Sequence, residues 1–497
     1  MTRDNFFTTL ITIPSVWRRY LPLWCVLLLL AMTPWNTFGR DLDVDEVFTV
    51  SYTAHPTPAL VLDDVRKNEE TPPLYFLLTW CWAQLFGGGA VAIRTFSLLC
   101  GLLAVALFAQ FALRRFAPVE AFVAGTILAA SPLVSRFLVE ARGYTLTLLL
   151  AVVCVVAFER FYRRPEHVSA LVGYTLSATA LFFTSYFGAA LIGAQNLIWL
   201  VLLFRQRESW RRNLLVWCVA QALIGAVVLV WLPTLAYQMK VAPAVSPYHD
   251  SRPDQYFWLA LMLITSVPPS TLWLVVWLLL AALVWEMLAF GLIASREHDD
   301  GLILRAFGAP TIVLLGLIIW LESIGPRYLM VVMPGAALGV AAGWSTLCRR
   351  LPRSGPLMGW MLMVALLAYG LLGAPAPKAI TPWSDLVGYM AQRADSAGDV
   401  VLLHPALNQR MFEYYYSGPS LRLLGAHDYD EFYYVQGHDL RTAWTSADAQ
   451  MAARGSRRVW LVYDTAIGTP RLNLPYPLLD RRQFDTLELY LYRVPGS

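Results

Sequence analysis

The chain has 497 residues, 57% of them hydrophobic and only 14% charged, with a formal net charge of +4. Its mean hydropathy of +0.52 excludes an ordinary soluble globule and implies a polytopic membrane protein. The small charge excess gives no reason to expect a nucleic-acid partner. Cys25, Cys81, Cys100, Cys154, Cys218 and Cys348 lie in or beside apolar runs without metal-ligand spacing, so neither a disulfide framework nor a zinc site is expected.

The first apolar run, 20–38, follows Arg18 and Arg19, and no small-residue cleavage site follows Phe38. It reads as an uncleaved first span with a cytoplasmic N-terminus. Next comes DLDVDEVFTV (41–50), with Asp41, Asp43, Asp45 and Glu46 crowded together. An extended backbone would put the three aspartates on one side. Asp45 and Glu46 instead look like acids in the first turn of a helix, DEVFTVSYT, while Asp41 and Asp43 read as solvated loop residues. An EF-hand loop is rejected, because Glu46 and Tyr52 stand where Gly and Glu are needed.

PLYFLLTWCWAQLF (73–86) is apolar but short, and counting it as a span would put Arg114 and Arg115 on the outer side. It reads as an interfacial or re-entrant helix, as does YFWLALMLITSV (256–267). The remaining runs are 91–113, 117–135, 143–160, 169–187, 188–204, 213–233, 271–295, 302–321, 327–347 and 356–374. Together these make about eleven transmembrane helices, a mainly α fold, with every basic cluster in a cytoplasmic loop. The transmembrane domain then covers 1–374, including a first outer loop over 39–90. Residues 375–497 have a soluble composition and alternate helix patterns (382–394, 408–418) with strand patterns (399–403, 457–464, 486–494). They predict an extracytoplasmic α/β domain capping the membrane part.

On this topology Asp41, Asp43, Asp45, Glu46, Arg94, Glu140, Arg142, Glu322 and Arg327 converge on the outer face from five parts of the chain. Charges kept near a membrane mark function. Arg136, Glu140 and Arg142 share a short turn, where anchoring at the interface is the bland reading. Gly325-Pro326 breaks a helix before Arg327, whose planar fork of donors suits a phosphate; a snorkelling anchor is the alternative.

These residues resemble the GT-C class of integral-membrane glycosyltransferases, which includes protein mannosyltransferases and the aminoarabinose transferases of lipid A. The match is to the bacterial branch that uses polyprenyl-phosphate sugars. It rests on Asp45-Glu46, TPPLYFLL (71–78), LFGGGAVAIRTFS (85–97), SPLVSRFLVEARGYTL (131–146) and PRYLMVVMP (326–334), in order, over about residues 17–350. Two departures are Thr71, where the branch often has His, and Ser185-Tyr186, where it often has His-Tyr. They bear on donor or acceptor recognition.

The resemblance implies a sugar donor on a polyprenyl monophosphate at the outer leaflet of a bacterial plasma membrane. Arg327, with Arg142 or Arg94, would bind the phosphate leaving group. Asp45 would be the general base, and Glu140 would orient acceptor or sugar or share the base role. Glu46, about 100° round a helix from Asp45, does not share that role; with Tyr75, Tyr144 and Tyr328 it is a candidate for substrate contact. The acceptor would be a glycolipid, a glycan or a protein. No metal is required, although the site leaves room for a loosely bound divalent cation near Asp45 and Glu140. A transporter of lipid-linked sugars would carry charge deep in its spans and show repeated halves. Here the ionisable residues lie at span ends apart from Glu286, and no repeat is seen. A polyprenyl-diphosphate glycan ligase would share the outer-face site but not these motifs.

Overall fold

The computed structural model describes residues 15–203, 210–245, 326–352, 354–372, 382–395, 398–404, 408–424, 446–465 and 471–495. The expected helix 256–267, the expected spans 271–295 and 302–321, and Glu322 lie outside the described residues.

The chain enters through α1 (Ser15–Met32) and then builds the first loop from three short helices, α2 (Val44–Tyr52), α3 (Pro58–Asn68) and α4 (Leu74–Phe86). α4 starts behind Pro73 and ends at Gly87, whose φ of +90° suits glycine alone at a helix end. At 13 residues it rises about 20 Å, short of the roughly 30 Å hydrocarbon layer.

The apolar body follows as α5 (Ala90–Arg115), α6 (Pro118–Ala129), α7 (Pro132–Phe137), α8 (Tyr144–Arg163), α9 (Val168–Phe182), α10 (Gly188–Leu203), α11 (Trp210–Val245), α12 (Met333–Arg350) and α13 (Gly355–Leu372). Among the described residues three helices are long and apolar enough to cross a membrane: α5, α8 and α11 over Trp210–Met239. Two of the expected spans are broken within the described residues, for local reasons. The expected span 117–135 breaks where Ser131 caps α7 ahead of Pro132. The expected span 327–347 opens as a 3₁₀ turn, Pro326–Val331, before α12 begins. α11 runs on to Val245, past the expected span end at 233.

Buried residues of α1, α5, α6, α8 and α12, among them Leu29, Phe108, Leu128, Val152 and Val340, form one apolar core. α5 turns Leu99, Leu103 and Leu107 outward at helical spacing, which suits a lipid surface and not water. Gly101 lets α5 approach the turn after α7: a Cβ there would sit 2.2 Å from Leu138 Cδ1. That turn, 138–143, carries Glu140 and Arg142.

After Pro382 the chain forms α14 (Trp383–Ala391), β1 (Asp399–His404), α15 (Gln409–Tyr415), β2 (Arg422–Leu424), α16 (Ser446–Ala452), β3 (Arg458–Asp464), β4 (Leu478–Phe484) and β5 (Leu487–Arg493). The sheet order is β2-β1-β3-β5-β4, parallel across β2, β1 and β3 and antiparallel from β3 through β5 to β4. Asp485, at φ +47°, makes the tight turn between β4 and β5. One face of this sheet and α14 share a second core with the first loop: Val401, Trp460 and Trp383 join Phe48, Tyr52, Val61 and Phe76.

Candidate active site

The acidic stretch divides its residues among different tasks. Asp43 caps α2 by accepting from Val44 N at 2.6 Å, and Glu46 accepts from Asp43 N at 3.0 Å. This is a capping box, so the chain turns helical at Val44 and is not extended through Asp45. Asp41 points away, accepting from Ser384 N and Oγ at 2.9 and 2.8 Å. The reading of Asp41 and Asp43 as solvated loop residues is thereby corrected.

Glu46 faces inward. It takes Arg94 Nε at 2.9 Å, Arg94 Nη2 at 2.7 Å and Ala141 N at 2.8 Å. The other Arg94 donors go to the carbonyls of Phe38, Arg40 and Asp41 at 2.9, 2.7 and 3.2 Å. All five guanidinium donors are thus committed, and both side chains are buried. Burial on its own raises the Glu46 carboxyl; the bond and charge of Arg94, with two backbone amides, outweigh it and hold the group below the usual range. Arg94 has no donor left for a phosphate, and Glu46 no exposed oxygen for a substrate. Their expected ligand roles give way to a structural one, fixing α2 to α5 and to the 138–143 turn.

Arg142 is the second internal pair. It forks onto Glu69, with Nη1 and Nη2 each 3.0 Å from a carboxylate oxygen, and Nη1 also donates to the Asp45 carbonyl at 3.1 Å. It lies 5.5 Å from the Phe76 ring centroid and is buried. The pairing with Glu69 neutralises its charge and, together with the Asp45 carbonyl, takes three of its five donors, which weighs against the expected phosphate role. Tyr75, expected at the substrate, is buried in the core with its hydroxyl 2.8 Å from Ser97 Oγ.

The third pair is open. Arg327 Nη1 donates to Asp45 Oδ2 at 3.3 Å, with side chains 23% and 49% exposed. The same guanidinium reaches the Tyr144 hydroxyl at 3.5 Å and the Tyr328 hydroxyl at 3.3 Å. These bonds lie at or beyond the long end of the normal range, unlike the short ones around Arg94. Arg327 sits in the 3₁₀ turn, and Leu329 to Val332, which complete and follow that turn, are fully packed in the core. Tyr144 begins α8, and Tyr328 stacks on Phe187 at 4.1 Å.

Two further carboxyls make no side-chain hydrogen bond or ion pair among the described residues: Glu70, near Arg327 and Asp45, and Glu140, near Glu46, Asp43, Arg40 and Arg136. Burial pushes Glu70 up to about 7, with the Asp45 and Glu69 charges adding and Arg327 opposing. Burial likewise pushes Glu140 up to about 7, with Glu46 adding and Arg136 opposing. Glu69 and Glu70 are absent from the sequence-based site. The signal was present in NEETPP (68–73), a second acidic pair at the end of the same loop. No group of three His, Cys, Asp or Glu placed to hold a metal ion occurs among the described residues.

Residues 70–231 match the family model described as dolichyl-phosphate-mannose-protein mannosyltransferase. No curated protein matches the chain. The structure is similar to that of ArnT from Cupriavidus metallidurans in the apo state, at 17% identity and a TM-score of 0.59, covering 96% of this chain and 98% of that one. It is similar to the same protein bound to undecaprenyl phosphate, at 17% identity and a TM-score of 0.55, covering 97% and 99%. The oligosaccharyltransferase of Archaeoglobus fulgidus, in complex with Zn and sulfate, gives 11% identity and a TM-score of 0.57 over 89% of this chain and 67% of that one. At these identities the likeness is one of fold: the chain folds like ArnT and the archaeal oligosaccharyltransferase.

Proposed function

We propose that this protein is a GT-C type glycosyltransferase that transfers a sugar from a polyprenyl monophosphate to an acceptor hydroxyl at the outer face of the membrane. The observation that carries the reading is the Arg327–Asp45 pair, whose side chains are 23% and 49% exposed where those of the Arg94–Glu46 and Arg142–Glu69 pairs are at most 10% exposed. Similar folds have been solved with undecaprenyl phosphate and with dolichol phosphate, which supports a lipid-phosphate donor.

In this mechanism Arg327 swings from Asp45 to the donor phosphate, helped by the hydroxyls of Tyr144 and Tyr328. The acceptor oxygen attacks the anomeric carbon from the opposite face. The bond from that carbon to the phosphate oxygen breaks, its electron pair stays on the phosphate, and the acceptor proton passes to Asp45. One displacement inverts the anomeric centre. Arg327 stabilises the charge that grows on the leaving group. Glu140 orients the acceptor or sugar by hydrogen bonding, and positioning supplies much of the remaining rate.

Orientation has its own support. α5, α8 and α12 end in Arg114/Arg115, Arg160/Arg163 and Arg349/Arg350. Arg115 pairs with Glu159 at 2.8 Å, so the ends of α5 and α8 lie together. Arg94, Tyr144 and Arg327 belong to the opposite ends of these helices. Under the positive-inside rule these basic ends support a site outside the cytoplasm. We assign residues 375–497 to that same side as a separate domain above the transmembrane part (1–374).

The test is transfer from radiolabelled undecaprenyl-phosphate sugars in membranes at matched expression. Asp45→Asn is expected to lower kcat by about 10²–10⁴-fold. Arg327→Ala is expected to lower kcat/KM for the donor by about 10–100-fold. Normal transfer by Asp45→Asn removes the base assignment.

A further inference from the structure

The mechanism uses Asp45 but says nothing of what aims it. Asp45 lies in the first turn of α2, a helix of nine residues, too short to hold its own position. The C-terminal α/β layer grips this helix at both ends. At its start, Asp41 binds Ser384, and Leu42 N donates to the Tyr415 hydroxyl at 2.6 Å. At its far end, Arg410 of α15 reaches under the helix. Its Nη1 donates to Ser51 Oγ at 3.1 Å, and its Nη2 donates to Asp64 Oδ1 at 3.1 Å. The guanidinium lies 4.5 Å from the Phe48 ring centroid and 5.4 Å from that of Tyr52. Only 10% of the Arg410 side chain is exposed, so these bonds are made largely out of water.

The contact continues to the site. Tyr52, under Arg410, donates its hydroxyl to Glu69 at 3.3 Å. Glu69 holds Arg142, and Arg142 holds the Asp45 carbonyl. Arg410 therefore bears on Asp45 through the helix and through Tyr52, Glu69 and Arg142.

We propose that Arg410 is a positioning residue, by which the C-terminal layer sets the place of α2 and so aims the Asp45 carboxylate at the acceptor. Arg410 touches no reacting group; it acts through α2. The proposal rests on the transferase reading for its kinetic test but not for its structural one. Proximity along such a line is not coupling, so the test measures coupling directly.

The experiment uses the full-length protein in nanodiscs, comparing wild type, Arg410→Met, Arg410→Lys and Tyr389→Phe. Methionine keeps the stem and removes the fork. Tyr389→Phe removes a bond to Asp480 elsewhere in the same layer and serves as control. Amide exchange over 44–52 is expected to rise in Arg410→Met while α5 and α8 keep their protection. Transfer is expected to lose about 10–100-fold in kcat with donor KM within about twofold, partly restored in Arg410→Lys and unchanged in Tyr389→Phe. Unchanged exchange over 44–52 overturns the proposal whether or not transfer is detected. Raised exchange with unchanged kcat overturns it as well, reducing Arg410 to a stabilising contact. If wild type transfers nothing, the transferase reading fails, while raised exchange still establishes that Arg410 sets α2.

Discussion

Three arginines meet five carboxyls in this site, and burial decides which of them remain available for chemistry. Arg94 and Glu46 are 0% and 1% exposed, so removing either leaves a buried charge without its two-pronged counter-ion. Arg94→Ala is expected to destabilise the protein by about 3–5 kcal/mol, seen as a lowered melting temperature in detergent. Arg94→Lys should recover little, since an ammonium cannot serve the carboxylate and three carbonyls at once. A near-normal melting temperature for Arg94→Lys would show that charge alone suffices. Glu140 behaves in the opposite sense. Its carboxyl rises from 4.5 to about 7 on folding, so between those values the folded state holds a proton that the unfolded chain releases. Stability therefore falls as pH rises through that window and levels off above it. Glu140→Gln is expected to flatten the fall in melting temperature between pH 5 and 8; an unchanged slope would place the titration elsewhere. The sequence singles out Asp45 and Arg327 because each stands in a motif beside a helix break, and the fold sets the two side chains 3.3 Å apart. Arg94 and Arg142 were legible as cations but not as spent ones. A sequence shows that a guanidinium is present, whereas only the fold shows that Glu46 and Glu69 have already filled it.

At the scale of the element, α2 is a short helix defined by its ends. Its capping box satisfies otherwise unpartnered N–H groups at the turn that carries Asp45. Asp43→Ala is expected to cost about 1 kcal/mol and to fray that turn, lowering melting temperature and kcat together. Asp43→Asn, which keeps a capping oxygen, should stay close to wild type on both measures; equal losses in the two variants would show that charge and not capping matters. The start of α2 was legible from its acids, and α4 from its length and bounding Pro and Gly. Two strands were not. β2 has three residues, and β4, LLDRRQF, lies at the sheet edge largely exposed, so neither carries the apolar pattern that betrays a buried strand. The broken span at Ser131-Pro132 was also hidden, because the apolar run continues through the break.

At the scale of the molecule, the C-terminal layer is more than a lid resting on the membrane helices. Trp383, Leu386, Met411, Phe412 and Trp460 pack in one core with Phe48, Val50, Tyr52 and Val61 of the first loop. That core is shared between segments more than 300 residues apart, and composition could not reveal it: the tail reads as soluble because its charged face dominates the count. Burial of several large side chains at about 1.5–3 kcal/mol each makes the loop dependent on the layer. Ending the chain at Pro382 should therefore not yield a shortened protein that keeps the proposed transfer. The truncated protein is expected to insert its spans, because those bury their own core around Phe108 and Val152. Its first loop is expected to become open to protease between 44 and 68, to expose an apolar patch that broadens the size-exclusion peak, and to lose transfer. Limited proteolysis with mass spectrometry reads the first effect directly. A truncated chain whose loop stays protected and whose transfer persists would mean that α2 and α3 hold together without the layer, and the shared core would then be a docking surface only.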